Sequence, residues 1–189
     1  MNQYSTELKK TVEAVNKGGV ILYPTDTIWG LGCSATNEAA FLNIYKIKNR
    51  PPSKSFIILV EDVERLQYHV GTLTTNVLEY IAALKRPTTI IYPKSQNLPK
   101  AILAEDGSIG IRLVKMQFCE DLIKGIDAPL VSTSANISGM PSPQKFEDIS
   151  KKIQQEVDFI VNDKLFLSGN SPASKILKLN EDESFTIIR

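Results

Sequence analysis

A chain of 189 residues, 42% hydrophobic and 23% charged, has enough apolar material for one sizeable core and none of the bias that marks disorder, collagen or coiled coil. Its 22 basic and 21 acidic residues leave a formal net charge of +1, so no global field draws it to nucleic acid or membrane, and polyanion binding would need a local cluster. Residues 1–7 lack the features of a signal peptide, no apolar run is long enough to span a bilayer, and Cys33 and Cys119 lack metal-ligand spacing; the expectation is a cytoplasmic protein with reduced thiols.

Leu8, Val12 and Val15 recur at helical spacing and Gly18-Gly19 follow as a stop, which predicts a helix over 6–17. Residues 20–23 form a short apolar strand ended by Pro24, which has no N–H for a ladder. Thr25, Asp26 and Thr27 come next, then Trp29, Gly30 and Gly32, and these read together as a loop. A strand that ends in a polar, glycine-punctuated loop is how α/β proteins build ligand sites, so this loop is expected to wall a small-molecule pocket. Asn37 caps a second helix with Ala40, Phe41, Ile44, Tyr45 and Ile47 on its apolar face; Pro51-Pro52 force it to end by Arg50.

Further on, residues 56–60 read as a buried strand, 62–64 open a short helix, 75–84 form another, and 88–92 make a strand closed by Pro93. A strand over 108–113 and a helix over 118–126 precede a short strand over 129–132, which runs into Thr133-Ser134-Ala135-Asn136. Residues 144–155 read as a polar helix, 158–161 as a strand, 162–173 as a loop and candidate lid, and 176–179 with 185–188 as a hairpin. Strands and helices alternate irregularly, which predicts a single α/β domain around a mixed, twisted sheet with flanking helices.

Three constellations could carry chemistry. Lys46, Lys48 and Arg50 close a helix and Lys54 follows; such cations complement a helix dipole, or they grip phosphate, and spacing alone favours the first. Four hydrogen-bonding side chains fall within residues 132–136, more than one cap requires, which favours a site for phosphate oxygens or a small polar ligand. Arg112 interrupts an otherwise apolar strand, either as a surface position or as a carboxylate clamp. The lone histidine, His69, sits in a polar helix and reads as a surface residue, and Trp29 reads as core. No Walker motif, dinucleotide fingerprint, HExxH or CxxC is present, and neither cysteine has a candidate base beside it. Hydroxyls, amides and cations suit the binding and stabilisation of anions rather than acid–base work.

Residues 23–27 (Tyr-Pro-Thr-Asp-Thr), Trp29-Gly30-Leu31-Gly32, Lys48-Asn49-Arg50 (a KxR), Ser134-Ala135-Asn136 (an SxN) and the strand from Ser108 to Arg112 occur in an order and spacing that resembles the YrdC family, the threonylcarbamoyl-AMP synthases, over nearly the whole chain. The resemblance implies a YrdC-like catalytic domain over 1–189, without the extra C-terminal domain of longer relatives. It implies an enzyme, a nucleotidyltransferase that makes threonylcarbamoyl-AMP and diphosphate from L-threonine, bicarbonate and ATP with Mg2+. The product would serve tRNA N6-threonylcarbamoyladenosine through downstream threonylcarbamoyl-transferase proteins. By motif position Arg50, Lys54, Ser108, Ser134, Ser142 and Arg189 would contact ATP, joined at the phosphates by Lys48 and Asn136. Thr27, Arg112, Ser132 and Ser174 would hold threonine, Arg112 on its carboxylate. Thr25 and Asp26 either shape the turn or touch ligand.

Three positions depart from the family pattern: Leu59 replaces a frequent histidine, Lys175 follows Ser174 where threonine is usual, and Lys54 stands where asparagine is common. The first two fall in the threonine half, which leaves open a carbamoyl-adenylate enzyme for another amine. The rival from a different class is a non-catalytic RNA-binding module of the same fold, contacting tRNA or double-stranded RNA through Lys46, Lys48, Arg50 and Lys54.

Overall fold

The computed structural model describes residues 2–51, 56–165 and 172–189, with Asp163 by its backbone alone. Helix α1 (Gln3–Asn16) starts a turn before the hydrophobic periodicity does, because the Asn2 side chain accepts from the Ser5 N–H and caps it. Strand β1 (Ile21–Tyr23) turns back into β2 (Gly30–Ser34), and Asn37 caps α2 (Glu38–Lys48) as expected. Asn49, at φ 48°, stops that helix in the left-handed region and turns the chain toward Arg50. Then come β3 (Ile57–Val60), α3 (Val63–Val70), α4 (Thr75–Ala82), β4 (Thr88–Tyr92), β5 (Ile109–Leu113), α5 (Gln117–Ile126) and β6 (Leu130–Ser134). Helix α6 (Lys151–Glu156), β7 (Phe159–Ile160), β8 (Lys175–Leu179) and β9 (Phe185–Ile187) complete the chain.

The nine strands of the described residues join one mixed sheet in the order β7-β1-β2-β6-β3-β5-β4-β8-β9. The pairs β1–β7, β3–β5 and β4–β8 are parallel and the others antiparallel. One face packs on α2, α3, α4 and α6 through residues such as Phe41, Leu66, Val77 and Ile153. The other is covered by α1 and α5, with Val15, Phe118, Leu122 and Ile123 against Ile21, Tyr23, Leu59 and Leu130. Beyond Leu59 that face is open over Ile57 of β3 and over β5, β4 and β8. Strand alternation then leaves a specific set uncovered: Ile109 and Ile111 point into the four-helix core, so Ser108, Gly110 and Arg112 point the other way. In β4, Ile90 and Tyr92 are core and Thr89 and Ile91 face the opening.

Three sequence expectations need correction. Gly30 and Gly32 are strand residues of β2, not loop. A Cβ on Gly32 would lie 2.7 Å from Tyr23 Cε1 and from the Val131 carbonyl, so the glycine exists to let β1 and β6 close in on it. The helix expected over 144–155 forms only at Lys151–Glu156, since the Asp148 carboxylate accepts from the Gln144 and Lys145 N–H groups and holds a separate turn. His69 is 2% exposed rather than at the surface, its Nδ1 3.4 Å from the Gln96 carbonyl.

Candidate active site

The uncovered part of the sheet floors a cavity of about 370 Å3, within the range of small-molecule sites. Its geometry follows from register. Ser132 pairs with Ile57, Ile57 with Gly110, and Gly110 with Ile91, which places one row of residues straight across the floor. From that row β5 runs on to Arg112 while β6, antiparallel to β3, runs the opposite way to Ser134. Each is two residues from the row, so the two ends stand roughly 13 Å apart along the strands. Ser108, two residues behind Gly110, falls at the Ser134 end.

At the first end Arg112 is 4% exposed, which excludes the surface reading of this residue. Its Nη2 pairs with Asp26 at 3.1 Å and its Nη1 donates to Thr27 Oγ1 at 3.3 Å. Thr25 shapes the turn that brings them together: its Oγ1 donates to the Ile28 carbonyl at 2.8 Å and accepts from the Thr27 N–H at 3.1 Å. Asp26, the other open position of that loop, is the counter-ion of Arg112. Ser132 lines the floor beside it, and Ser174 Oγ lies 3.0 Å from Thr89 Oγ1.

At the second end Arg50 leaves the αL turn of Asn49, lays its guanidinium 5.1 Å from the Phe56 ring centroid, and donates to Thr133 Oγ1 at 3.2 Å. Burial pulls its pKa below the ordinary arginine value, but a guanidinium stays charged. Ser134 and Ser142 line the same cavity. Arg189 lines it too and donates from Nη2 to the Ser174 carbonyl at 3.2 Å, so this arginine, expected on ATP, sits against a residue expected on threonine.

Two expected phosphate contacts are placed elsewhere. Lys48 is 2% exposed and outside the cavity lining; its Nζ donates to the Ser134 carbonyl and, at 2.7 Å, to the Asn136 carbonyl. The Lys48 carbonyl in turn accepts from the Ser138 N–H at 2.8 Å. Asn136 spends its amide on the Met140 carbonyl at 2.6 Å and the Ile137 carbonyl at 3.2 Å, and its Oδ1 accepts from Ser134 Oγ. Both side chains therefore brace the loop after β6, because buried backbone carbonyls must find donors. Lys54, the remaining expected contact, lies outside the described residues, as does much of the candidate lid (residues 166–171).

Burial, with Arg50 adding to it, lowers the Lys48 pKa to about 7. A neutral amine still has two N–H donors for its two carbonyls. Lys48 thus loses its proton near pH 7 in the folded protein and near 10.5 when unfolded. Between those values the unfolded chain holds more protons, so stability against denaturant should rise with pH across that window. Replacing Lys48 with methionine should flatten that rise, and lysine-selective NMR should show one Cε resonance titrating near neutrality.

Sequence reasoning missed Thr89, Gly110 and the Asp26–Arg112 pair. The one available signal was Gly110 inside an alternating strand; its Cβ would sit 3.3 Å from Thr89 Cγ2. Neither thiol is available as a nucleophile: Cys33 and Cys119 are fully buried, and burial pushes both pKa values up.

An open mixed sheet carrying a polar cavity with arginines at both ends, and no reactive side chain among its described lining, defines an α/β protein built to hold and orient anions. The Sua5/YciO/YrdC family model, described as "Telomere recombination", matches residues 13–189, and the chain belongs to that family. It is 31% identical over 159 residues to a threonylcarbamoyl-AMP synthase of Xanthomonas euvesicatoria, covering 82% of this chain and 85% of that one. It is 30% identical over 177 residues to the synthase of Stutzerimonas stutzeri, covering 93% and 94%. The crystal structure of P. abyssi Sua5 complexed with L-threonine superposes with a TM-score of 0.83 at 23% identity; the match covers 96% of this chain and 53% of that one, about half its length. The relatives' names are those of enzymes, and no helix among the described residues is long and apolar enough to cross a membrane.

Proposed function

We propose that this protein is an L-threonylcarbamoyladenylate synthase, a cytoplasmic nucleotidyltransferase that joins L-threonine, bicarbonate and ATP into threonylcarbamoyl-AMP, releasing diphosphate and water. The observation that carries this reading is the two-ended cavity, with Arg112 at one end and Arg50 with Ser134 at the other. Arg112 takes the threonine carboxylate, with Asp26 fixing its fork and Thr27, Ser132 and Ser174 completing the amino-acid subsite. Arg50, Ser108, Ser134 and Ser142 face the nucleotide, Arg189 reaches it from beside Ser174, and Lys54, outside the described residues, joins them by motif position.

Bicarbonate takes up a proton and loses water to give CO2; threonine's neutral amine then adds to the CO2 carbon and gives up a proton, forming a carbamate. A carbamate oxygen then forms a bond to the α-phosphorus as the bond to the diphosphate oxygen breaks. The nucleophile is already anionic, so the protein needs no base or covalent residue; it aligns two anions and neutralises the charge that develops. Arg50 is the group for that neutralisation, stacked on Phe56 and partly desolvated, where its charge acts most strongly. Lys48 and Asn136 act as positioning residues, setting the loop that presents Ser134. Mg2+ enters with the triphosphate as part of the substrate: no cluster of three His, Cys, Asp or Glu occurs among the described residues, and Asp26 is committed to Arg112. The product then passes to threonylcarbamoyl-transferase proteins acting on tRNA.

The test is diphosphate release by purified protein with MgATP and bicarbonate, with threonine, serine or glycine added in parallel. Release that depends on threonine and bicarbonate is expected. Release at the same rate without any amino acid would sink the assignment, and a preference for another amine would reassign the substrate.

A further inference from the structure

A second cavity lies on the opposite face of the same sheet, beneath α4, and plays no part in the chemistry above. It measures about 330 Å3, again the size of a small-molecule site. Ile90 and Ile111 form its floor, and Leu78 and Ile81 of α4 close over them. Its rim is cationic: Lys85, Arg86 and Lys115 are all exposed there, with Lys115 Nζ already 3.1 Å from the Leu84 carbonyl. The one carboxylate among its described lining residues, Asp26, is 10% exposed and committed to Arg112 at 3.1 Å, so it does not balance the rim. Apolar walls beneath an uncompensated cationic mouth are complementary to an apolar body with a negatively charged head.

We infer that this cavity binds a small amphipathic carboxylate, and that its occupancy weakens amino-acid binding on the other side of the sheet. The two sites share Asp26, which lines the second cavity and holds Arg112 of the first. They also share β4 and β5, whose residues alternate between them: Ile90 and Ile111 to one, Ile91 and Arg112 to the other. An anion brought close to Asp26 lowers the positive potential that Arg112 offers to a substrate carboxylate across a low-dielectric sheet. Linkage makes the effect reciprocal: a carboxylate bound at Arg112 weakens the cavity ligand by the same factor. The coupling rests on the assignment of Arg112 to threonine; the site itself does not.

Isothermal titration of the full chain with sodium octanoate tests the site without any activity assay. Saturable one-to-one binding with a dissociation constant on the order of 1 mM is expected for a ligand of this size. Octylamine, with the same chain and the opposite charge, should bind at least about tenfold more weakly. So should octanoate to the K85Q/R86Q variant, whose changes are exposed and outside the catalytic pocket. Absence of saturable octanoate binding, equal affinity for octanoate and octylamine, or unchanged octanoate affinity in K85Q/R86Q overturns the site. With octanoate saturating, the dissociation constant for threonine should rise about fivefold. An unchanged value overturns the coupling, whereas failure of threonine to bind at all, with octanoate still bound, counts against the assignment of Arg112 and leaves the site standing.

Discussion

Replacing Arg112 with glutamine should raise the threonine concentration for half-maximal diphosphate release by about 100-fold and shift the ATP requirement by less than about threefold. The arginine is desolvated at the end of the cavity remote from Ser134, and a charge-assisted fork to a carboxylate is among the strongest polar contacts a side chain makes. The same change removes the partner of Asp26, a side chain 10% exposed. Breaking a buried pair from one side costs about 3–5 kcal/mol, so the variant should also unfold at lower denaturant. The D26N/R112Q double variant separates the two effects. It should regain most of the stability, because no charge is left buried, and none of the threonine affinity. Equal loss of ATP and threonine affinity in a stably folded double variant would show that Arg112 is architectural.

Arg50→Ala should lower kcat by about 1,000-fold, while threonine binding measured without ATP stays within about twofold of the parent. Arg50→Lys should recover only part of this. Lysine keeps a charge but loses the planar group that stacks on Phe56 and reaches Thr133, so it cannot hold the same geometry. A rate in Arg50→Ala within about tenfold of the parent would remove Arg50 from the reaction.

The candidate site was legible in the sequence wherever polarity was locally out of place. Four hydrogen-bonding residues at 132–136 exceed any capping need, and Ser132 and Ser134 do line the cavity. Thr27 was legible for the same reason, at the end of a buried strand. Arg112 stood out on an apolar strand, but local pattern could not separate a surface arginine from a buried one; the answer lies in Asp26, 86 residues away in the chain. Lys48 misled in the opposite direction. Helical spacing marks it as one of several cations at a helix end, and only the approach of the loop after β6 buries it and turns its ammonium onto two carbonyls. Gly30 and Gly32 looked like loop residues because the reason for them, the Tyr23 ring across the strand pair, is not a neighbour in sequence.

What the chain determines by itself is its local grammar. Asn37 starts α2 where its side chain can cap, Pro93 and Gly71 follow the elements they close, and alternation in Ser108–Ile109–Gly110–Ile111–Arg112 assigns each residue a side of the sheet. These outcomes depend on backbone dihedrals and on hydrogen bonds to residues a few positions away, which the order of amino acids specifies directly. The tertiary structure alone decides which side becomes a pocket. Helices α1 and α5 cover one half of that face and leave the other open, β6 runs against β3 so that Ser134 and Arg112 part to opposite ends, and Asp26 meets Arg112 between two cavities. Those arrangements are contacts between strands far apart in the chain, set by the burial of whole faces rather than by any local pattern.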